Sequence, residues 1–206
     1  MKITEQTLQS YQLRFDELNA LKDYIAEVID ALKNGEGYEE VKRKFEECLF
    51  WFYVDGFSSG ILQMGEDKDI PNGYDFLDIR YPDGETVTEK FDKYVKDGDT
   101  ARLSALLDSE AHRMYNTGSL NAVNIQVDPE TGLPNIPKGG KPSGINKTWV
   151  TMGDEKVRDT HWYLEGQTIP LEEEFVTYDG DSALAPSMFS TAQNNANCRC
   201  ILFYSR

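Results

Sequence analysis

The sequence predicts an α+β protein: a helical region to about residue 120, followed by a small, mostly β C-terminal domain. Three observations carry this. Apolar residues recur at steps of three and four through the first third of the chain, which places them on one helix face. Four prolines and four glycines then gather in 128–144. From 146 onward the apolar residues fall in short extended pieces bounded by turn formers. A chain of 206 residues makes one domain or two small ones. With 39% apolar and 12% aromatic residues it can bury a core and is not disordered by composition. The expected division is a helical region at 1–98 and a second unit at 99–206.

The first helix is predicted over 5–34, where Tyr11, Phe15, Leu18, Leu21, Ile25, Val28 and Leu32 share a face. Asn34-Gly35 stops it, because glycine takes the left-handed conformation that ends a helix. A second helix over 37–63 carries Val41, Phe45, Cys48 and Phe52 on one stripe, and the short connection implies an antiparallel pair. Phe50, Trp51, Phe52 and Tyr53 crowd all sides of it, which suits a helix at the middle of a bundle or part of an interface core. Residues 65–84 read as loop with one extended stretch at Phe76–Tyr81. Helix resumes over 85–97, breaks at Asp97-Gly98, and restarts over 99–117 with Asp99 or Thr100 as N-cap. The Pro/Gly-rich 128–144 is a long loop or mobile arm. Strands are expected at Thr148–Met152, Gln167–Pro170, Phe175–Tyr178 and Cys198–Tyr204.

Charge and cysteines narrow the function classes. There are 21 basic and 36 acidic residues, a formal net charge of −15, so broad electrostatic wrapping of DNA is not expected. Cys48, Cys198 and Cys200 are an odd set with two members one residue apart, a poor disulfide framework that points to a reducing compartment. The opening MKITEQTLQSYQLRFDELN lacks the apolar core of a signal peptide. The densest apolar run, Cys48 to Val54, is too short to span a bilayer. A cytosolic protein without a membrane partner is expected.

Chemistry concentrates around His161, seven residues after Asp154 and three after Arg158. One reading is an interlocked turn in which Asp154 accepts backbone N–H groups or pairs with Arg158, and His161 satisfies a buried carbonyl. Another adds the terminal cysteines. Residues two apart in a strand point the same way, so Cys198 and Cys200 would project together with Arg199 opposite. Two thiolates, an imidazole and a carboxylate, with Asp154 as the fourth ligand, suit a structural zinc. The motifs require no other cofactor. A third reading is a metal-dependent nuclease or hydrolase with His161 as general base supported by Asp154 or Glu110. His112 is the only other histidine, and no phosphate loop, His-Glu-x-x-His or nucleophile elbow occurs. Glu172-Glu173-Glu174 reads as a solvated turn.

Three blocks carry a family resemblance. In LLDSEAHRMYNTG (106–118), Glu110, Arg113 and Asn116 lie at three-residue steps on one helix face. KTWVTMGDEKVRDTHWYLEGQTIPLEEEF (147–175) holds Trp149, Asp154, Arg158, His161, Gly166 and Phe175 in order. NANCRC (195–200), with Asn197 and Arg199 between and beside the cysteines, precedes a final apolar strand. Together they resemble the phage Mu F-like minor head proteins over about residues 100–206. The resemblance implies a low-copy virion protein at the portal or inner capsid wall, made in the host cytoplasm, acting in head morphogenesis, DNA packaging or DNA delivery. It implies the portal protein, the major capsid protein and packaged DNA as partners, and no enzymatic activity. A phage-derived effector is the alternative within the same family.

Overall fold

The computed structural model describes residues 21–70, 78–136 and 143–206. Its first helix, α1, spans Lys22–Lys33 and buries Ile25, Val28, Ile29 and Ala31; the part of the expected helix before residue 21 lies outside the described residues. The stop falls where the sequence puts it. Gly35 adopts φ +74°, and Glu36 N–H reaches back to the Ala31 carbonyl at 3.0 Å, closing the free carbonyls of the last turn.

Helix α2, Tyr38–Met64, is the long central element and ends at left-handed Gly65. Val41, Phe45, Cys48 and Phe52 are buried as the stripe predicts. Helix α3 (Val87–Asp97) opens on a reciprocal cap: Thr86 Oγ1 accepts from Glu89 N–H while the Glu89 carboxylate accepts from Thr86 N–H. Helix α4 (Thr100–Ala122) begins on Asp99, whose carboxylate accepts from Arg102 N–H at 3.0 Å. It continues five residues beyond the expected end at 117, because packing against α2 on one side and the C-terminal sheet on the other holds it. Glu110 through Leu120 are all buried.

The closest helix pair is α2 with α4, and small residues set it. A Cβ added at Gly56 would lie 1.9 Å from the Tyr115 carbonyl oxygen, and one at Gly118 would lie 2.1 Å from that of Tyr53. Only glycine allows the two backbones to approach so closely.

Within the Pro/Gly-rich stretch, the structure corrects the expectation of continuous loop. Gln126–Val127 (β1) pairs antiparallel with Pro134–Asn135 (β2), and the Asp128 carboxylate accepts from Glu130 N–H, Thr131 N–H and the Thr131 hydroxyl to fix the turn between them. Residues 137–142 of this stretch, and the start of the expected extended piece at 76–81, lie outside the described residues.

The C-terminal sheet has the order β4-β3-β7, all antiparallel. Strand β3 is Asn146–Val150, β4 is Thr168–Pro170 and β7 is Ile201–Ser205. Helix α5 (Asp159–Trp162) lies between β3 and β4, and a small pair, β5 (Phe175–Val176) with β6 (Ser182–Ala183), follows. Helix α6 (Ala192–Asn195) precedes the last strand. That strand starts at Ile201, not Cys198 as expected. Asn197 is left-handed, at φ +53°, and Cys198 N–H turns back to the Asn195 carbonyl at 3.0 Å. The ladder also ends at Val150↔Ile201; beyond it Thr151 N–H, on the β4 side of the strand, is taken by the Glu165 carboxylate at 2.6 Å.

One apolar core runs from Ile25 and Val28 through the helices to Trp149, Phe175 and Tyr204. Polar ties cross it: the Ser119 hydroxyl to the Tyr204 hydroxyl at 3.0 Å, and the Tyr115 hydroxyl to Ser59 at 3.0 Å.

Candidate functional site

The three sequence blocks converge where α4, α5 and the segment before β7 meet. His161 sits on α5, a single turn entered from extended Arg158. The Trp149 ring meets His161 edge-on at 5.3 Å and Phe175 at 5.2 Å. Phe189 stacks on the imidazole at 5.4 Å and also touches Trp149, at 5.6 Å. The ring is thus held by aromatic packing, 2% exposed, and its Nε2 has no hydrogen-bond partner.

Its Nδ1 faces two sulfurs. Cys200 Sγ lies 3.4 Å away and Cys198 Sγ 3.7 Å. His161, Cys198 and Cys200 are the set of potential metal ligands that the described residues bring together, with donor atoms all within 4.8 Å of one another. Both cysteines are buried as free thiols. They face the same way, as the spacing predicts, although the segment carrying them is a turn leading into the strand. Burial alone would raise both thiols. The Cys200 contact and the His161 ring outweigh it at Cys198, which is held low, while burial and its neighbour push Cys200 up.

Arg199, between the two cysteines, points the opposite way and forms a two-pronged pair with Asp154 at 2.8 and 2.9 Å. That hydrogen-bonded guanidinium holds the Asp154 carboxyl below its ordinary range. Two expectations for Asp154 are corrected here. The side chain it pairs with is Arg199, not Arg158, while the expected backbone bond is present, from Lys156 N–H at 3.1 Å; these commit the carboxylate instead of letting it turn toward the thiols. Arg158 serves elsewhere, donating to the Gln193 and Ala196 carbonyls at the end of α6, where a cation suits the helix terminus.

The helix block is equally interlocked. Glu110 and Arg113 pair at 3.1 Å in the interior, and the Tyr81 hydroxyl donates to Glu110. Asn116 donates to the His112 carbonyl at 3.0 Å and to the Cys200 carbonyl at 3.2 Å, tying α4 to the cysteine segment. Asn197 N–H reaches Ser109 at 3.2 Å. Gly166, at φ +72°, turns the chain from α5 into β4 and donates to the Trp149 carbonyl at 2.9 Å. Phe175 is buried under Trp149.

Sequence reasoning missed a second polar knot. Asp181 accepts from Ser190 and Thr191 hydroxyls and Asn194 Nδ2. Burial would push its carboxyl up, but these bonds and that from Ser182 N–H outweigh it and hold it at about 2. Asn194 also accepts from Thr160 at 2.9 Å beside His161, and Asn195 brackets Phe189 through both backbone atoms. The signal available was the Asn194-Asn195 pair immediately before the cysteine block; Asp181 had none, being one acidic residue among many.

Fold and site together define a helical layer clamped to a small antiparallel sheet by buried polar ties, with a Cys/His cluster at the clamp. Comparison with known proteins gives the particular likeness. Residues 138–203 match the family described as Phage Mu protein F like protein, so the resemblance seen in the sequence holds over this stretch; the helix block at 106–118 lies before it. The chain is 28% identical over 104 residues to the minor head protein GP7 of Bacillus phage SPP1, covering 50% of this chain and 29% of that protein. It is 44% identical over 62 residues to the NAD(+)–arginine ADP-ribosyltransferase EFV of Enterococcus faecalis, covering 29% of this chain and 12% of that protein. The chain therefore spans less than a third of either relative. No solved structure matches significantly.

Proposed function

We infer that the chain is a structural component of a phage or prophage head, a minor head protein working at the portal vertex or the inner capsid wall. The observation that supports this is the fate of the motif residues. Glu110, Arg113, Asn116, Trp149, His161 and Phe175 are buried and bind elements of the chain to one another, which is what a scaffold needs and a catalytic cleft does not. The match to the Mu F-like family and the GP7 relative give that scaffold its setting. Within it, the portal protein and the major capsid protein are the partners, and head morphogenesis, DNA packaging or DNA delivery is the role. No helix among the described residues is long and apolar enough to cross a membrane.

The nuclease or hydrolase alternative needs His161 open to a substrate, whereas the ring is 2% exposed and packed against Trp149 and Phe189. The 62 residues shared with the arginine ADP-ribosyltransferase are 12% of that protein; we read them as a module common to both chains.

Mass spectrometry of purified particles tests the assignment. The chain should be present at a small fraction of the major capsid protein, and its absence from particles would remove the virion role. With a net charge of −15, binding to bare duplex DNA at physiological salt should be weak. A salt-resistant nanomolar shift in a gel assay would contradict that.

A further inference from the structure

We propose that His161, Cys198 and Cys200 bind one zinc ion, which fastens the segment before β7 to helix α5. The argument starts from donor count. A neutral imidazole nitrogen offers either one lone pair or one proton. Two sulfurs nevertheless converge on His161 Nδ1, at 3.4 and 3.7 Å, so the nitrogen serves one of them and the second is left to the weak bond of its neighbouring sulfur. A shared cation removes the conflict, because all three atoms then point at the metal instead of at each other.

The distances agree with this. Tetrahedral zinc with Zn–S near 2.3 Å and Zn–N near 2.0–2.1 Å holds sulfur and nitrogen about 3.6 Å apart; the two observed separations bracket that value. All three donors lie within 4.8 Å of one another. Charge closes as well. Binding expels one proton from each thiol, and two thiolates with a neutral imidazole leave no net charge on Zn²⁺ in a buried place. A metal-bound histidine ordinarily donates its second nitrogen to a carboxylate or carbonyl; here Trp149 and Phe189 fix the ring by packing instead.

The described residues supply three ligands. Asp154 is held by Arg199, which leaves the fourth position open to a water. The adjoining cavity, about 10 Å³ and lined by Met152, Lys156, Arg158 and Arg199 among others, is about the size of one water.

The test uses the full chain, purified under reducing conditions and assayed for metal, then stripped and titrated with Co²⁺ and Zn²⁺. The expected results are one zinc per chain, a thiolate-to-cobalt charge-transfer band saturating at one equivalent, and a melting temperature lowered by more than about 10 °C on chelation. Cys198→Ser and Cys200→Ser should each abolish the band, while Cys48→Ala, distant on α2, keeps it. If the serine variants fail to fold, the titration of the metal-free wild-type chain decides alone. A chain that takes up neither ion, and melts identically with zinc and with chelator, overturns the proposal. So does a Cys198–Cys200 disulfide that persists under reductant in place of metal.

Discussion

Lys147 shows how a single side chain couples this fold to pH. It lies on β3 with no exposure, its ammonium donating to the Leu184 carbonyl at 2.8 Å and standing 5.4 Å from the Phe175 ring centroid. Burial pulls it down to about 7, despite Glu174, Glu172 and Glu173 nearby. In the unfolded chain a lysine titrates near 10.4. Between pH 7 and 10 the unfolded state therefore holds a proton that the native state has lost, and stability rises with pH across that window. The slope approaches about 1.4 kcal/mol per pH unit. Denaturant titrations of wild type and Lys147→Met from pH 6 to 9.5 check it: the difference should grow in favour of wild type above pH 7. A flat difference would mean the folded lysine keeps its ordinary pKa. Asn116 gives a second test. Asn116→Ala strands the Cys200 carbonyl and should cost about 1–3 kcal/mol, whereas Arg199→Ala, removing a pair whose Asp154 side is open to water, should cost about 1 kcal/mol. At this scale the sequence was partly legible. The i, i+2 spacing of Cys198 and Cys200 foretold their common direction, and Arg199 facing away toward an acid followed from it. The Asp154 partner was misassigned because Arg158 is near in sequence, while the chain's return at 199 is not visible from local spacing.

Among the elements, the α2–α4 contact sets the geometry of everything packed on it. Gly118 meets the Tyr53 oxygen at 2.1 Å and the Phe57 nitrogen at 2.9 Å when given a Cβ, and Gly60 meets the Ala122 Cβ at 2.6 Å. Backbone atoms cannot swing aside as a side chain can, so Gly118→Ala must push the helices apart. A loss of at least about 3 kcal/mol is expected, at the upper end of overpacking costs. Gly35→Ala is the control: it faces open space at φ +74° and should cost only about 1 kcal/mol of backbone strain. Equal losses in the two variants, measured by chemical denaturation, would show that close approach is not what fixes the pair. Helix existence and the ends at Asn34-Gly35 and Asp97-Gly98 were readable, since periodicity and glycine breaks act locally; the end of α4 at Ala122, five residues beyond the expected 117, is set by packing. The pairing was not. Gly56 and Gly60 sit four apart inside an aromatic run, and nothing in α2 alone says that the matching small residues are at 118 and 122.

For the molecule as a whole, the proposed division at 98/99 makes a claim about independence that the ties across the core put at risk. The helices and the sheet share one apolar cluster, and the C-terminal segment is bonded to the helices through Tyr204–Ser119 and Asn116–Cys200. The Pro/Gly composition of 128–144 makes Lys138 the expected first tryptic site, since few apolar groups in that stretch anchor it and Lys141 is shielded by Pro142. Cleavage there separates β3 through β7 from every helix of the bundle, yet breaks neither of these ties. The buried apolar contact between the halves outweighs one cut in the connecting chain, where loop closure contributes only a few kcal/mol. The nicked protein should therefore elute from a sizing column as one species with an unchanged near-ultraviolet circular dichroism spectrum, and part into two fragments only in denaturant. Fragments that separate under native conditions would show instead that the C-terminal unit folds by itself. In that event the tie from Asn116 to the cysteine segment would be an interface between two domains.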